Sequence, residues 1–374
     1  MNKNITVLAS GCLTSGISAT FFLVLPLAIG AISNGTDYGE QFLGLIATTY
    51  LIAFTIAGIV SAAIPASTNQ RRLSFSGFVL LVSGFFLAAI SMHTETRLLA
   101  GFAAAGLGAG ILYSVSFRII GLAQNIERAF GLKLFTEQII AATLFFIFSF
   151  LSLSFSPLMK ALSAVALVFM VVIAFTPKNA AIEDTKKTQN VSQTSKPAFV
   201  MSIFAVIVFM LAMTGPWTFL ESLSVERQIG SQLFGTLGAI SLLLGGVGGA
   251  IAAIQAAKLG LKRPLILSVV ITVIIYGVLI GLGLPGFIIF VLAFPMLWNY
   301  ALAYQFSAAT HLDQQNQYSG WLAPAVAVGA SVGPILAGTI LEHGDGFLAM
   351  LIITGLVSAL GLLLTVQSLR SNAG

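Results

Sequence analysis

Glu137 lies deeper within an apolar stretch than any other acidic residue of this sequence, about two turns into a hydrophobic run that begins near residue 132. Burying a carboxylate is costly, and apolar surroundings favour its neutral, protonated form. A carboxyl group in such a setting can bind and release a proton, so we predict a coupling role for Glu137. Lys133 lies four residues earlier on the same helix face, and a structural ion pair between the two is the alternative. Arg118 is another candidate partner.

A second carboxyl group, Glu221, closes a hydrophobic run in the sequence GPWTFLE, which begins at Gly215. The cost of burying charge favours a solvated carboxylate at the end of the run, and a gating residue is the alternative. Trp217 lies in the same run. It is predicted either to contact a ligand or to anchor the chain at the edge of the apolar layer, where tryptophan is enriched.

One hydrophobic segment, at residues 286–309, is more polar than the others. Its ring, amide and hydroxyl groups are Trp298, Asn299, Tyr300, Tyr304, Gln305 and Ser307. Helical spacing places the two tyrosines and the serine on one face, and the tryptophan and glutamine on another. In apolar surroundings such groups must face protein or a wet cavity. Hydrogen bonding between helices would satisfy these groups, and stacking and hydrogen bonds would also suit a hydroxylated or aromatic molecule.

The sequence lacks the motifs of soluble enzymes. Its three histidines, His93, His311 and His343, are far apart, and it contains no HExxH motif, serine elbow or P-loop. The single cysteine, Cys12, excludes a disulfide framework or a thiolate metal cluster. Its context LASGC is similar to a lipoprotein signal, but the preceding apolar run is too short, which favours a thiol within the first apolar segment. We expect no enzymatic activity, no metal and no cofactor, and no direct use of ATP.

The residues described above lie in long apolar segments. Of the 374 residues, 57% are hydrophobic and 8% are charged, whereas about 25% of the residues of a soluble domain are charged. Segments of about 20 apolar residues can cross a bilayer as helices, and none shows the alternation of a membrane barrel. We predict an all-α integral membrane protein with twelve transmembrane helices. They lie near residues 5–32, 41–66, 74–93, 97–119, 132–156, 158–176, 199–222, 232–256, 264–283, 286–309, 317–341 and 346–369.

The basic residues predict the orientation of these helices. With the N-terminus inside, all of the 17 Lys and Arg residues except Arg97, Lys160 and Arg227 fall on the inner side, as expected from the positive-inside rule. We predict a multi-pass protein of a bacterial-type inner membrane with both termini cytoplasmic. The net charge of +5 is explained by this asymmetry, so no nucleic-acid partner is predicted.

A polar run from Thr176 to Pro197 separates two groups of six predicted helices. We predict an N-terminal six-helix bundle at residues 1–176, a cytoplasmic linker at 177–198 and a C-terminal six-helix bundle at 199–374. Basic residues follow the second helix of each half at matched positions. This similarity of the halves indicates an internal repeat.

The matched basic loops resemble a motif of the major facilitator superfamily, Gly-x-x-x-Asp-Arg-x-Gly-Arg-Lys/Arg, which follows the second helix in that family. Its later positions are occupied here by Arg71, Arg72, Lys258, Gly260 and Lys262. Ser67 and Ala257 replace the acidic residue, and Ala63 replaces the first glycine. The resemblance implies conformational loops at these positions, in which any latch that depends on the acidic residue is absent or rebuilt.

The fourth predicted helix is also similar to that family. Arg97 is followed by Gly101, Gly106 and Gly110 in the run RLLAGFAAAGLGAG, which looks like the family's Arg-x-x-x-Gly signature. The resemblance implies a coupling role for Arg97. The alternatives are a cation that reaches the interface and glycines that only permit close packing. The Gly-Pro motif of the family's drug/proton antiporters is missing from residues 131–157, and a similar run, GASVGPILAG, lies in the eleventh helix.

The resemblance implies a site and a mechanism. In the family, helices one, four, seven and ten line a central cavity. The resemblance therefore implies that the polar stretch at residues 286–309, the tenth helix, forms a binding wall. The residues expected opposite it are Ser15, Ser18 and Phe22 on the first helix and Tyr113 and Ser114 on the fourth. A monomeric secondary active transporter is implied, one that moves a small organic solute across the lipid bilayer by alternating access. Protons are the expected coupling ion, with Arg97, Arg118, Glu137 and Glu221 as the coupling or gating residues.

Several alternatives are left open. Drug or metabolite efflux by antiport would use the same fold, and uncoupled facilitated diffusion would follow if Glu137 were only structural. A channel would need a polar ring or a carbonyl filter, which the sequence does not show. A non-transporting sensor or scaffold would need a large soluble region, whereas the middle run of about 22 residues resembles a flexible tether. The solute and the direction of transport are open.

Overall fold

The computed structural model describes residues 3–65, 68–120, 122, 126–179, 196–312, 321–343 and 346–371. Within these ranges the side chains of residues 3, 4, 62, 126–128, 130, 131, 253, 256–258, 323 and 371 are left out. Ser67 and most of the predicted linker lie outside the described residues. The chain divides into two compact units, Met1–Asp184 and Thr185–Gly374.

The first unit is built of helices throughout its described part. They are α1 (Lys3–Leu23), α2 (Leu25–Ser33), α3 (Glu40–Ala63), α4 (Gln70–Ala89), α5 (Glu95–Ile120), α6 (Ile126–Phe150) and α7 (Phe155–Phe169), which continues into a 3₁₀ helix at Met170–Phe175. The second unit has the same character. Its helices are α8 (Lys196–Thr218), α9 (Leu220–Glu226), α10 (Ser231–Leu259), α11 (Lys262–Gly281), α12 (Gly283–Leu312), α13 (Leu322–His343) and α14 (Phe347–Ser371).

Twelve helical segments are long and apolar enough to cross a membrane. Many large apolar side chains on their outer faces are exposed, such as Val168 and Leu356 at 70% and 65%. A lipid environment accommodates such faces, whereas water would not. The predicted all-α fold class with twelve spans is therefore confirmed.

A helix break lies within the first span of the first unit and directly after the first span of the second. In the first unit α1 stops at Leu23 and α2 resumes at Leu25, with Pro26 in its first turn. In the second, Pro216 lies within α8, and Phe219 separates α8 from α9. Proline has no backbone N–H and clashes with the preceding turn, which explains a break at these points.

The predicted boundary between the fifth and sixth helices is wrong. The fifth helix was expected at 132–156 and the sixth at 158–176, but α6 ends at Phe150 and α7 begins at Phe155. The intervening residues form a turn in which Ser152 has a positive φ of 46°. Apolar residues alternate with serines through Leu151, Leu153 and Phe155 and continue on both sides, so mean hydropathy alone could not locate this turn.

The glycines of α5 lie where neighbouring helices approach most closely. A Cβ atom on Gly106 would meet the carbonyl oxygen of Tyr50 in α3, and one on Gly101 would lie 2.7 Å from the amide nitrogen of Ala88 in α4. Side chains larger than hydrogen would separate these helices. The packing interpretation of this glycine run is confirmed.

The GASVGPILAG run of α13 has a similar packing role in the second unit. Cβ atoms on Gly329 and Gly333 would meet carbonyl oxygens of Ile207 and Leu211 in α8. The helix continues through Pro334 to His343. The run therefore permits close contact between the first and fifth spans of this unit.

We predict that Gly106→Ala destabilises the protein by about 1–3 kcal/mol, because the new methyl group overlaps a backbone atom of α3. Gly277→Ala is the matched control, since nothing lies within 4 Å of its Cβ position. Thermal unfolding of the purified variants measures both. Equal melting temperatures for the two variants would contradict close packing at Gly106.

Candidate functional site

The first unit contains a buried ion pair between Lys133 and Glu137. The Lys133 Nζ lies 2.6 Å from the Glu137 Oε1, and the two side chains are only 1% and 6% exposed. Both residues lie on α6, which turns Leu134 and Phe135 outward. The helix thus has a lipid-exposed face and a charged inner face.

A hydroxyl group from another helix binds the same carboxylate oxygen. Ser15, which is fully buried on α1, donates a hydrogen bond to the Glu137 Oε1. The carboxylate therefore accepts from an ammonium on its own helix and a hydroxyl on α1. Its charge is balanced in a setting where an unpaired charge would be very costly.

Two aromatic rings of α5 complete the surroundings of the Lys133 ammonium. Its Nζ lies 3.1 Å from the Tyr113 hydroxyl oxygen and 4.4 Å from the ring centroids of both Tyr113 and Phe117. Aromatic faces stabilise a cation, and more strongly when water is excluded. Lys133, Glu137, Ser15, Tyr113 and Phe117 are called the charged cluster below, and they join α1, α5 and α6.

The other candidates of the first unit lie near this cluster in sequence. Ser18 is buried and donates to the backbone oxygen of Ser15 at 2.8 Å. Phe22 and Ser114 are partly exposed. Ser18 therefore supports its own helix, while the other two retain accessible surface.

Arg97 lies in the first turn of α5 and its side chain is exposed. This position at a helix end suits a cation that reaches the interface. Its coupling role stays a prediction.

In the second unit the tenth-span residues contact other helices. The Trp298 indole nitrogen lies 3.2 Å from the Met210 sulfur on α8. The Tyr300 hydroxyl donates to the Gln255 side-chain oxygen on α10 at 3.0 Å. The buried Gln305 donates to the Thr365 hydroxyl on α14 at 3.0 Å.

The remaining residues of this stretch differ in accessibility. Asn299 is partly exposed and donates to the Pro295 backbone oxygen of its own helix at 3.0 Å. Tyr304 is buried, with its ring centroid 5.0 Å from that of Tyr300. Ser307 is exposed and donates to Ala303 at 2.9 Å. The stretch thus combines helix-to-helix bonds with a few accessible polar groups.

Glu221 follows the end of the seventh span, in the first turn of α9. One of its carboxylate oxygens, Oε2, is buried and has no hydrogen-bond partner among the described residues. Burial raises the pKa of Glu221 to about 8. The neighbouring Trp217 is only 2% exposed, so its ring lies inside the unit and is not an anchor at its surface.

The fold is shared with solved membrane proteins. The inward-open xylose transporter XylE from E. coli superposes with a TM-score of 0.75 at 13% identity, over 98% of this chain and 99% of that one. The chain has the major facilitator fold. A bacterial homologue of the human lysosomal transporter Spinster gives 0.70 at 13% identity, over 99% and 95% of the two chains. The human organic anion transporter MFSD10 gives 0.65 at 16%, over 97% and 99%.

No protein-family model matches the chain, and no curated protein matches it by sequence. Its identity to the solved structures of the major facilitator fold is correspondingly low, and the likeness is one of architecture. The twelve spans identify a multi-pass membrane protein.

Two arginines of the first unit donate hydrogen bonds to backbone oxygens at helix C-termini. Arg71 donates to the Thr176 and Ala174 backbone oxygens, at 2.6 and 3.1 Å, where the sixth span ends. Arg118 donates to the Ser61 and Ile64 backbone oxygens at the end of α3, the latter at 2.6 Å. Cations at helix C-termini satisfy free carbonyl groups and complement the helix dipole.

The expectation that Arg118 pairs with Glu137 is wrong. Within the described residues the ion pair of Glu137 is with Lys133, and the Arg118 guanidinium is used by α3. Arg118 is near the end of its helix, about six turns after the start of α5, so it reaches the end of α3.

The remaining loop residues have few described contacts. Arg72 and Lys262 are exposed. Gly260 follows the end of α10 with a φ of +64°, a conformation that favours glycine. Lys258 has its side chain outside the described set. Among the motif side chains that the structure describes, that of Arg71 is the one with a hydrogen bond to another helix.

The sequence did not indicate two members of the charged cluster. Ser15 was a candidate for the cavity wall, yet its hydroxyl binds Glu137. Phe117 was not a candidate, although its spacing of four residues from Tyr113 places both rings on one face of α5. Two aromatic residues four positions apart on one helix, with Lys133 on the next, form the sequence pattern that could have identified Phe117.

We predict that Lys133→Met and Glu137→Gln each destabilise the protein by about 3–5 kcal/mol, because each leaves a buried group without its partner. The double variant, Lys133→Met with Glu137→Gln, should recover most of this loss, since it removes both charges. Unfolding of the purified proteins in denaturant measures the difference. Additive losses in the double variant would contradict a coupled pair.

We also predict a pH-dependent effect of Glu221→Gln. The pKa of this carboxyl is about 8 in the folded protein and about 4.3 when unfolded, so folding binds a proton. The contribution of protonated Glu221 to the free energy of unfolding is fully present below about pH 4. It decreases as pH rises and is lost above about pH 8. The melting temperature of Glu221→Gln relative to the parent should therefore rise between pH 5 and pH 9, approximate values set by these two pKa values.

Glu226→Gln is the control for this comparison, because Glu226 lies on the same helix with its side chain exposed. It should show no such change. A constant difference between Glu221→Gln and the parent at all pH values would show that Glu221 is solvated.

Proposed function

We propose that this protein is a secondary active transporter that moves a small organic solute across a cell membrane by alternating access, with protons as the coupling ion. The observation that carries the proposal is the buried charged cluster in a chain with the major facilitator fold. An intramembrane ion pair that joins three helices is costly to maintain and suits a coupling site. Solved proteins with the same architecture include a xylose transporter and an organic anion transporter.

The proton-binding group in this proposal is Glu137. A proton on its carboxyl group removes the negative charge that binds Lys133 and Ser15. The Lys133 ammonium then retains the Tyr113 hydroxyl and the two aromatic rings. Proton binding therefore weakens the contact of α6 with α1 and leaves the contact with α5. A change in local charge of this kind can shift the balance between two conformations.

The solute-binding groups are proposed on both units. In the first unit, Tyr113, Ser114 and Phe22 offer a hydroxylated and aromatic surface that is partly exposed. In the second unit, Asn299 offers a partly exposed amide beside the Trp298 and Tyr300 rings. Such groups suit a hydroxylated or aromatic solute through stacking and hydrogen bonds. Gln305, Tyr304 and Ser18 are buried and are assigned to support this surface.

The remaining parts of the proposal concern gating and placement. Glu221 is proposed as a gating group near the end of the seventh span, and Arg97 at the start of the fourth. We place the protein in a bacterial-type inner membrane, as a monomer with both termini cytoplasmic, because the basic residues follow the positive-inside pattern. Arg71 and Arg118 are proposed to hold helix ends together while the transporter changes conformation.

A solute can be identified by its effect on stability. Purified protein is heated with sugars, aromatic acids, amino acids and lipophilic cations at two pH values, because a ligand that binds the folded state raises the melting temperature. We expect a shift with hydroxylated or aromatic solutes that depends on pH. No shift with any solute would contradict a binding site of the proposed chemistry.

We predict that Glu137→Gln in proteoliposomes no longer responds to an imposed pH gradient, since its side chain cannot take up a proton. Exchange of labelled for unlabelled solute should continue, because exchange needs no net proton movement. The double variant with Lys133→Met keeps the cluster neutral and should behave in the same way, which separates coupling from folding. Uptake of the solute identified above is the measurement.

Glu226→Gln is the control, since it removes an exposed carboxyl group. It should respond to the gradient as the parent does. A parent-like response of both cluster variants would identify Lys133–Glu137 as a structural pair and favour an uncoupled facilitator.

A further inference from the structure

A groove on the second unit lies beside the first turn of α8. Its described lining consists of Lys196, Phe199, Val200, Ile203 and Trp321, and its volume is about 300 Å³. The wall is almost entirely apolar, and Lys196 is its only charged group among these residues.

Three of the groove residues are exposed, whereas Phe199 is only 5% exposed. Val200 and Trp321 are 64% and 63% exposed, and the Lys196 side chain is also exposed. Lys196 is the first residue of α8, and Trp321 immediately precedes α13. Both therefore lie where a membrane-spanning segment begins, at the level of the lipid headgroups. Tryptophan and lysine are enriched there because each has an apolar part and a polar tip.

We infer that this groove binds an anionic phospholipid. The apolar wall of Phe199, Val200 and Ile203 accepts an acyl chain, and the Lys196 ammonium neutralises the headgroup phosphate. The orientation predicted from the basic residues places this end on the cytoplasmic side, where anionic lipids are concentrated. Charge complementarity selects an anionic lipid over a zwitterionic one.

The position of the groove suggests what the lipid stabilises. Phe199 and Ile203 lie on α8, whose later residues receive the close approach of Gly329 and Gly333 from α13. Trp321 precedes α13 on the other side of the groove. A lipid bound there contacts the starts of both helices and holds them together at the membrane surface.

The tryptophan content of the chain provides a direct test. Of the three tryptophans, Trp217 and Trp298 are buried at 2% and 8% exposure, so lipid-borne quenchers act mainly on Trp321. The full-length protein is reconstituted in phosphatidylcholine vesicles that contain brominated-chain phosphatidylglycerol or brominated-chain phosphatidylcholine at equal mole fractions. Tryptophan fluorescence is recorded as the brominated fraction increases.

We expect brominated phosphatidylglycerol to reach half-maximal quenching at a mole fraction about fivefold lower than brominated phosphatidylcholine. A factor of about five in affinity is expected for one basic residue near an anionic headgroup. Lys196→Gln should abolish this preference, and Trp321→Phe should remove most of the quenching. Lys178→Gln is the matched control, because it removes another exposed lysine that is not among the residues lining the groove; the preference should remain.

Two results would overturn the inference. One is equal quenching of the parent by both brominated lipids, which is also the result if a segment of the chain itself fills the groove. The other is a phosphatidylglycerol preference that survives Lys196→Gln. The test measures lipid binding without any solute, so it is independent of the proposed transport activity.

Discussion

The structure depends on the cost of placing a charge where water cannot reach it. An ionised side chain inside a bilayer needs a partner and further hydrogen bonds. In the described part of the spans this requirement is met at Lys133 and Glu137, whose neighbours supply a hydroxyl group from α1 and two aromatic rings from α5. The pair is therefore tied to the packing of three helices, and a change in its charge must alter that packing.

The two units meet this constraint differently. In the first unit, the Ser15 hydroxyl on the first span faces the Glu137 carboxylate on the fifth. In the second unit, the hydroxyl of Thr214 on the first span lies against Gly333 on the fifth, and the described residues there form no ion pair. A repeat with the same helix arrangement thus has a charged contact in one unit and close glycine packing in the other. This asymmetry favours proton coupling through the first unit alone.

Charged side chains at helix ends also need hydrogen-bond partners, at a lower free-energy cost than a charge inside the bilayer. Carbonyl groups at a helix C-terminus have no intrahelical partner, and Arg71 and Arg118 supply donors to the ends of the sixth and second spans. The sequence lacks the acidic residue that the major facilitator motif has in this loop. In the described structure, backbone carbonyls accept from both guanidinium groups.

Hydrophobic segment length was sufficient to predict twelve spans and the all-α fold, because the bilayer restricts chains to few structures. It could not locate the turn at Ser152, where apolar residues continue on both sides. The Lys133–Glu137 pair was predictable from spacing on one helix. Its contact with Ser15, which lies 122 positions from Glu137, depends on how the helices pack and has no such signal in a single sequence.

Infrared difference spectroscopy tests the proton-coupling claim most directly, because a protonated carboxyl group has a stretching band distinct from that of a carboxylate. Spectra of the purified protein are compared before and after a drop in pH and after addition of the solute. Glu221, whose pKa is about 8, would give such a band as well, so all spectra are recorded in a Glu221→Gln background. We predict a carboxylic acid band that appears in Glu221→Gln, persists when Glu226→Gln is added and is missing when Glu137→Gln is added. A band that remains after Glu137→Gln is added, or no change in Glu221→Gln under any condition, would contradict a proton-binding role for the buried pair.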